Sequence, residues 1–326
     1  MNNNLSCLED LPNEILCDIL KYLDASDLFR AIHNLNFRFN ALIRSLQYIC
    51  LTLLKFHPYE TNYYKNLMPN IYTLKLGYKA NINLNDFPNI RRLELLVPSY
   101  EQLKQLESNV CYYLEYLSIG YKHILFSNEL PNLCKKIFSN GFPYLKSCDL
   151  FEPKIIYIPL TSIKSVELHF LRVDHITFST YQTILLTCPN LYFLQFTIYF
   201  PWKEACFIKE HFNLQRMIIK FEDIVSLDNS FHINDYISCV PALKQLIIYQ
   251  MNYAFNIKKY LKYDWFVLII NQHLPLLQQF QFHLSFIGTK KSFQFDNKSI
   301  LNHMIENFKN IHNNRYRSKL NFNILQ

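Results

Sequence analysis

Glycine is scarce in this chain of 326 residues: there are four, Gly77, Gly120, Gly141 and Gly288, each isolated from the others. A phosphate-cradling P-loop and a GxGxxG dinucleotide turn both need glycines a few residues apart, so that backbone can approach phosphate closely. The GxSxG nucleophile elbow fails for the same reason. The nine cysteines are scattered and form no CxxC pair, which argues against a disulfide framework and a thiolate zinc site. Among eleven histidines there is no HExxH and no pair four residues apart. No catalytic, cofactor or metal site is therefore expected. Long apolar runs are absent as well: the longest, "WFVLII" at 265–270, is far too short to cross a bilayer, and the acidic first twenty residues do not read as a secretory leader. The reading is cytoplasmic or nuclear, with no membrane partner.

Half of the residues are hydrophobic and only 18% are charged, a composition that builds a folded core. The formal charge of +7 is uneven. Residues 1–50 hold six acids and four bases, so the remainder carries the whole basic surplus. Basic doublets at Arg91-Arg92, Lys135-Lys136, Lys258-Lys259 and Lys290-Lys291, with "RYRSK" at 315–319, are not interleaved with aromatics on one face. Most Tyr and Phe fall at strand and helix core positions, so nucleic acid is not an expected partner.

The stretch "LEDLPNEILCDILKYLDASDLFRAI" places Ile15, Leu16, Ile19, Leu20 and Leu23 along an amphipathic helix that starts near Pro12 and Glu14. Asp24 is a plausible N-cap for a second helix, "ASDLFRAIHNL", and "FRFNALIRSLQ" predicts a third, with Leu35, Phe39, Leu42, Ile43 and Leu46 on one side. Three helices in about forty residues bury too little surface to stand alone. A partner or the rest of the chain must complete them.

The residues Leu11-Pro12-x-Glu14-Ile15, Ile19-Leu20, Leu23-Asp24, Asp27-Leu28 and Arg38-Phe39 resemble the F-box, over residues 8–46. Asn36 and Phe39 stand where that family commonly carries Cys and Trp. The resemblance implies docking on the small adaptor subunit of a cullin-based ubiquitin ligase, through Leu11, Pro12, Ile15, Ile19, Leu20 and Leu28.

From residue 67 a phrase recurs: "MPNIYTLKL", "FPNIRRLEL", "CYYLEYLSI", "FPYLKSCDL", "LTSIKSVEL", "CPNLYFLQF", "HFNLQRMII", "VPALKQLII" and "LPLLQQFQF". Its last anchors are Leu76, Leu95, Ile119, Leu150, Leu168, Phe196, Ile219, Ile248 and Phe282. Alternating apolar residues of a short strand point into a shared core, and a return segment leads to the next parallel strand. This resembles an irregular leucine-rich-repeat array. "YQTILLTC" and "SILNHMIENF" read as return helices, and "KLNFNIL" as a closing strand.

The expected fold is α/β: a three-helix F-box at 5–50, a linker helix at 51–66 and a parallel-stranded repeat solenoid at 67–326. The expected target-binding face carries Arg92, Glu94, Tyr116, Glu167, His169, Phe193, Arg216 and Tyr249, a mixture suited to protein recognition. The combined resemblance implies the substrate-receptor subunit of an SCF-type ligase, with adaptor, cullin scaffold and a target protein as partners. Two alternatives stay open. One is a non-catalytic scaffold whose helices cap the repeats; the other is a cysteine hydrolase, using Cys206 with nearby His211, or Cys239 or Cys188 with a distant histidine.

Overall fold

The computed structural model describes residues 8–54, 65–77, 80, 82–108, 111–120, 129–151, 163–198, 210–222, 231–252, 264–287, 302, 306, 308 and 316–325. It is a mixed α/β structure with helices at its N-terminal end and parallel strands thereafter. The chain divides into two compact units, residues 1–136 with 141–149 and residues 137–140 with 150–326.

In the first unit, α1 (Asn13–Leu20) follows Pro12, whose φ of −56° suits the entry to a helix. Helix α2 (Ala25–Ala31) is capped by Asp24, which accepts hydrogen bonds from the Ser26 backbone N–H at 3.0 Å and from its hydroxyl at 2.8 Å. Asn36 caps α3 (Phe37–Ser45) by accepting from the Phe39 N–H at 3.0 Å. Phe39, Leu42, Ile43 and Leu46 are buried as the spacing predicts, but Leu35 lies ahead of the helix and is exposed.

Strand β1 (Ile49–Leu53) comes next, so residues 51–53 are strand where a linker helix was expected to start. The reason is visible in their burial: Ile49, Leu51 and Leu53 alternate inward with period two, and the strand pairs in parallel with β2 (Ile71–Leu76). The remainder of that expected helix lies at 55–64, outside the described residues. Strands β3 (Arg92–Leu95), β4 (Tyr116–Ile119) and β5 (Ser147–Leu150) follow in chain order. Returns in this unit include α4 (Tyr100–Glu107), opened by a Ser99–Gln102 capping box, and α5 (Glu129–Phe138). Register stacks Leu74, Leu93 and Leu117 in one row and Leu76, Leu95 and Ile119 in the next. Every one is buried, each contributing about 1.5–3 kcal/mol of hydrophobic stabilisation.

The second unit contains β6 (Phe170–Ile176), α6 (Phe178–Thr187), β7 (Phe193–Ile198), β8 (Arg216–Glu222), α7 (Phe231–Ser238), β9 (Gln245–Asn252), α8 (Asp264–His273), β10 (Gln279–Ile287) and β11 (Arg317–Leu325). Its strands pair in parallel and in chain order, and β11 is the closing strand that the alternation of "KLNFNIL" predicts. Of "SILNHMIENF", Asn302, Glu306 and Phe308 are described and helical. Leu194, Met217, Leu246 and Phe280 form one buried row, and Phe196, Ile219, Ile248 and Phe282 another. Behind them α6 and α7 meet through Tyr181, whose hydroxyl donates to the Tyr236 carbonyl at 2.6 Å while both rings pack on Phe196. That bond satisfies a hydroxyl that is otherwise wholly buried.

One unit sits differently from its predicted place. Ile163 and Val166, read as strand anchors, are exposed, whereas Leu168, Leu171 and Val173 are buried. The phrase in this unit is therefore Leu168-x-x-Leu171-x-Val173. With it, the last anchors Leu150, Val173, Phe196 and Ile219 are 23 residues apart at each step.

An asparagine immediately before the first anchor ties successive units together. Asn70, Asn89, Asn190 and Asn213 donate their side-chain N–H groups to the carbonyls of Arg44, Pro69, Val166 and Pro189, at 2.7–3.1 Å. The asparagine of the recurring phrase, preceded by proline at Asn70, Asn89 and Asn190, is thus a stitch to the preceding turn.

Candidate docking surfaces

The three N-terminal helices are clamped at their open end by Arg38. Its guanidinium donates to the carbonyls of Glu9 and Leu11 and to Asn13 Oδ1, the last at 2.7 Å, and Asn36 donates to Glu9 Oε1 at 2.8 Å. The start of α1 is fixed to α3 by charge-assisted bonds, which are stronger than neutral ones. On the other side α2 lies against β1, joined by a bridge between Asp24 and Cys50.

This anchoring divides the broad apolar stripe of α1 into two faces. Leu16 and Leu20 point inward, at 0% and 1% exposure, while Ile15 and Ile19, one turn apart, are 47% and 41% exposed. Pro12 is exposed beside them, Leu11 is half-buried, and Leu8 and Phe37 add exposed apolar surface. Leu28 is completely buried. Leu20 and Leu28, expected among the docking residues, are buried core residues, at 1% and 0% exposure, where α1 lies against α3 and α2 against β1. Residues 8–33 match the F-box-like family model. No curated protein gives a match to this chain. The F-box-like domain therefore keeps one face for its own core and leaves the Pro12, Ile15 and Ile19 face open.

The predicted target-binding residues fall into two groups. In the first unit Arg92, Glu94 and Tyr116 lie on one sheet face, and they are already engaged with their neighbours. The Arg92 guanidinium sits 4.5 Å from the centre of the Tyr116 ring, Lys75 Nζ pairs with Glu94 at 3.2 Å, and the Tyr116 hydroxyl donates to Asp149 at 3.0 Å. Burial, reinforced by the Asp149 carboxylate, holds the Tyr116 phenol above its ordinary range.

In the second unit Phe193, Arg216 and Tyr249 occupy the sheet face, but Glu167 and His169 do not. Both precede β6, His169 folds back on the Glu167 carbonyl, and the register places Phe170 and Arg172 opposite Phe193 and Gln195. The five-residue shift of the phrase moves these two residues off the strand. Phe193 is nearly covered, packed with Ile218, Ile247 and Tyr249. Ile218 and Ile247 escape prediction because each lies between two core residues, and three apolar residues in a row conceal which one faces outward. The Arg216 guanidinium lies 5.2 Å from the Phe193 ring centre, a cation–π contact that fixes its direction.

The cysteine and histidine candidates meet in a structural arrangement. His211 Nε2 donates to the Cys188 carbonyl at 2.9 Å, and its Nδ1 accepts from the Leu214 N–H at 3.1 Å. With one ring nitrogen donating and the other accepting, both to backbone, the ring is a neutral turn-stabiliser. Burial pushes the Cys188 thiol up to about 12, the opposite of what a nucleophile needs. Cys239 is also buried, with its thiol donating to the Asp235 carbonyl, while Cys206 lies outside the described residues. Among the described residues no cluster of His, Cys, Asp and Glu is arranged to hold a metal, and no helix is long and apolar enough to cross a membrane.

Proposed function

We propose that this chain is a substrate-receptor subunit of an SCF-type ubiquitin ligase: the F-box-like domain docks the adaptor, and a leucine-rich-repeat solenoid holds a target protein. The observation that carries this reading is the exposed pair Ile15 and Ile19, beside Pro12, within the residues that match the F-box-like family. Two isoleucines nearly half exposed on a helix otherwise anchored to its own domain form the apolar centre of an interface. The chain does no covalent chemistry in this scheme. Held between adaptor and cullin scaffold on one side and target on the other, it raises the effective concentration of target lysines near the ubiquitin-charged enzyme. The scattered spacing of the nine cysteines suits the reducing cytoplasm or nucleus.

A second reading has one observation in its favour. The contact of α2 with β1 lets the helices cover the end of the strand array, as a solenoid cap must. Adaptor pull-down with the full-length protein and an Ile15→Asp/Ile19→Asp variant separates the two. Docking predicts capture by wild type and none by a variant whose thermal unfolding is unchanged. A well-folded wild type that fails to bind leaves only the cap.

A further inference from the structure

The second unit carries a row of side chains that the first unit does not match. Across the starts of β7 to β11, register aligns Phe193, Arg216, Gln245, Gln279 and Arg317 side by side. Arg216, Gln245, Gln279 and Arg317, with Tyr192 and Lys244, line a trough of about 550 Å³ at the Phe193 end of that row. Its charge has one sign. No carboxylate of the described residues pairs with Arg216, Lys244 or Arg317, whereas in the first unit Lys75 pairs with Glu94 and Arg91 with Glu115. Lys319, two residues along β11 from Arg317, also depresses the pKa of His283, second to that ring's burial. The trough floor is organised too: Gln245 Nε2 donates to Gln279 Oε1 at 2.9 Å, leaving the remaining amide groups of the pair for a ligand.

We propose that this trough binds an extended acidic peptide segment of a partner protein, with carboxylate or phosphate groups meeting Arg216 and Arg317 while the Gln245–Gln279 pair bonds the peptide backbone between them. The proposal rests on the reading of the repeats as the target-holding part. The dimensions fit. Arg216 and Arg317 are three strand steps apart, about 14 Å at about 4.8 Å per step. An extended peptide advances about 3.4 Å per residue and returns to the same side every second residue, so acids four positions apart reach both arginines. Arg216, already held over Phe193, loses little freedom on binding, and a planar guanidinium accepts a carboxylate or phosphate through two bonds. Lys244 adds charge without direction.

The test uses full-length protein and fluorescein-labelled peptides of about twelve residues, with glutamate, phosphoserine or glutamine repeated at every fourth position. Anisotropy is expected to show binding of the glutamate or phosphoserine peptide, weakening as salt rises from about 50 to about 300 mM because the contacts are screened. Arg216→Glu/Arg317→Glu, with its fold checked by circular dichroism, is expected to lose at least about tenfold in affinity. The glutamate and phosphoserine arms tell which anion is needed. Binding of neither acidic peptide, equal binding of the glutamine peptide, or an unaffected variant overturns the proposal. So does a preference for a uridine oligomer or anionic vesicles that the same variant abolishes, which reassigns the trough to another polyanion. Adaptor pull-down on the same samples keeps the two readings apart: peptide binding without adaptor capture sinks the ligase assignment alone, and the reverse sinks the trough alone.

Discussion

Arg38 reaches across from α3 to donate a hydrogen bond to the carbonyl of Leu11, the residue before the proline that opens α1. The same guanidinium bonds Glu9 and Asn13, so one side chain fixes the entry of the chain into its first helix. Replacing Arg38 by Ala is expected to lower stability by about 1–3 kcal/mol, the range for bonds to a charged donor. Urea unfolding measures that cost. Adaptor affinity should fall as well, although Arg38 would touch no partner, because the Ile15 and Ile19 face loses its fixed orientation.

The division of the α1 stripe makes adjacent residues behave oppositely. Leu16→Ala removes a fully buried side chain and is expected to cost about 2–5 kcal/mol, while Ile15→Ala should stay within about 0.5 kcal/mol. Denaturant midpoints of the two variants check the contrast. Equal losses would mean that Ile15 is covered within the folded chain.

Gly77 is packed too tightly for any side chain. A Cβ at this position would lie 2.3 Å from the Leu54 carbonyl oxygen and 2.7 Å from its Cα, both backbone atoms. Gly77→Ala must push β1 and the end of β2 apart and is expected to cost about 1–3 kcal/mol. Gly120, whose nearest backbone contact would be 2.8 Å, should tolerate alanine better. Thermal unfolding of the two variants should rank them in that order.

The buried neutral His211 couples the fold to pH. Burial lowers its pKa in the folded protein from 6.5, so between the folded value and 6.5 the unfolded chain binds more protons. Its contribution to stability is fully present above pH 6.5 and is lost as pH falls through the folded pKa. His283, lowered by burial and by Lys319, acts in the same direction. Urea midpoints taken from pH 7.5 down to about pH 5 should fall. His283→Gln should reduce that slope only in part, leaving the share of His211.

Much of this architecture is legible from spacing alone. The i, i+4 rows of α1 and α3 and the apolar-x-apolar strand cores each report a face that must be buried. What spacing does not show is which of two apolar rows has a neighbour inside the chain: Leu16 is fully buried while Ile15 beside it is 47% exposed. Strand β1 was hidden because "ICLTL" closely follows a helix and lacks the proline that precedes the first anchor in most of the other phrases. The misplacement at Leu168 arose because Ile163, Val166 and Leu168 have the correct local spacing. The signal that corrects it is longer in range: a 23-residue step back from Phe196 lands on Val173.

The continuous register of the strands sets where this chain tolerates a change in length. Between Ile248 and Phe282 there are 34 positions, and between Phe282 and Leu320 there are 38, yet β9, β10 and β11 pair residue for residue without a shift. Length within the strands is held by this residue-for-residue pairing, and any surplus is taken up in the segment that returns to the next strand. Inserting one residue between Asn213 and Leu214 would invert the pleat of β8, exchanging Ile218 for the core row of Met217 and Ile219. A tag of many residues spliced into a return would leave every strand in register.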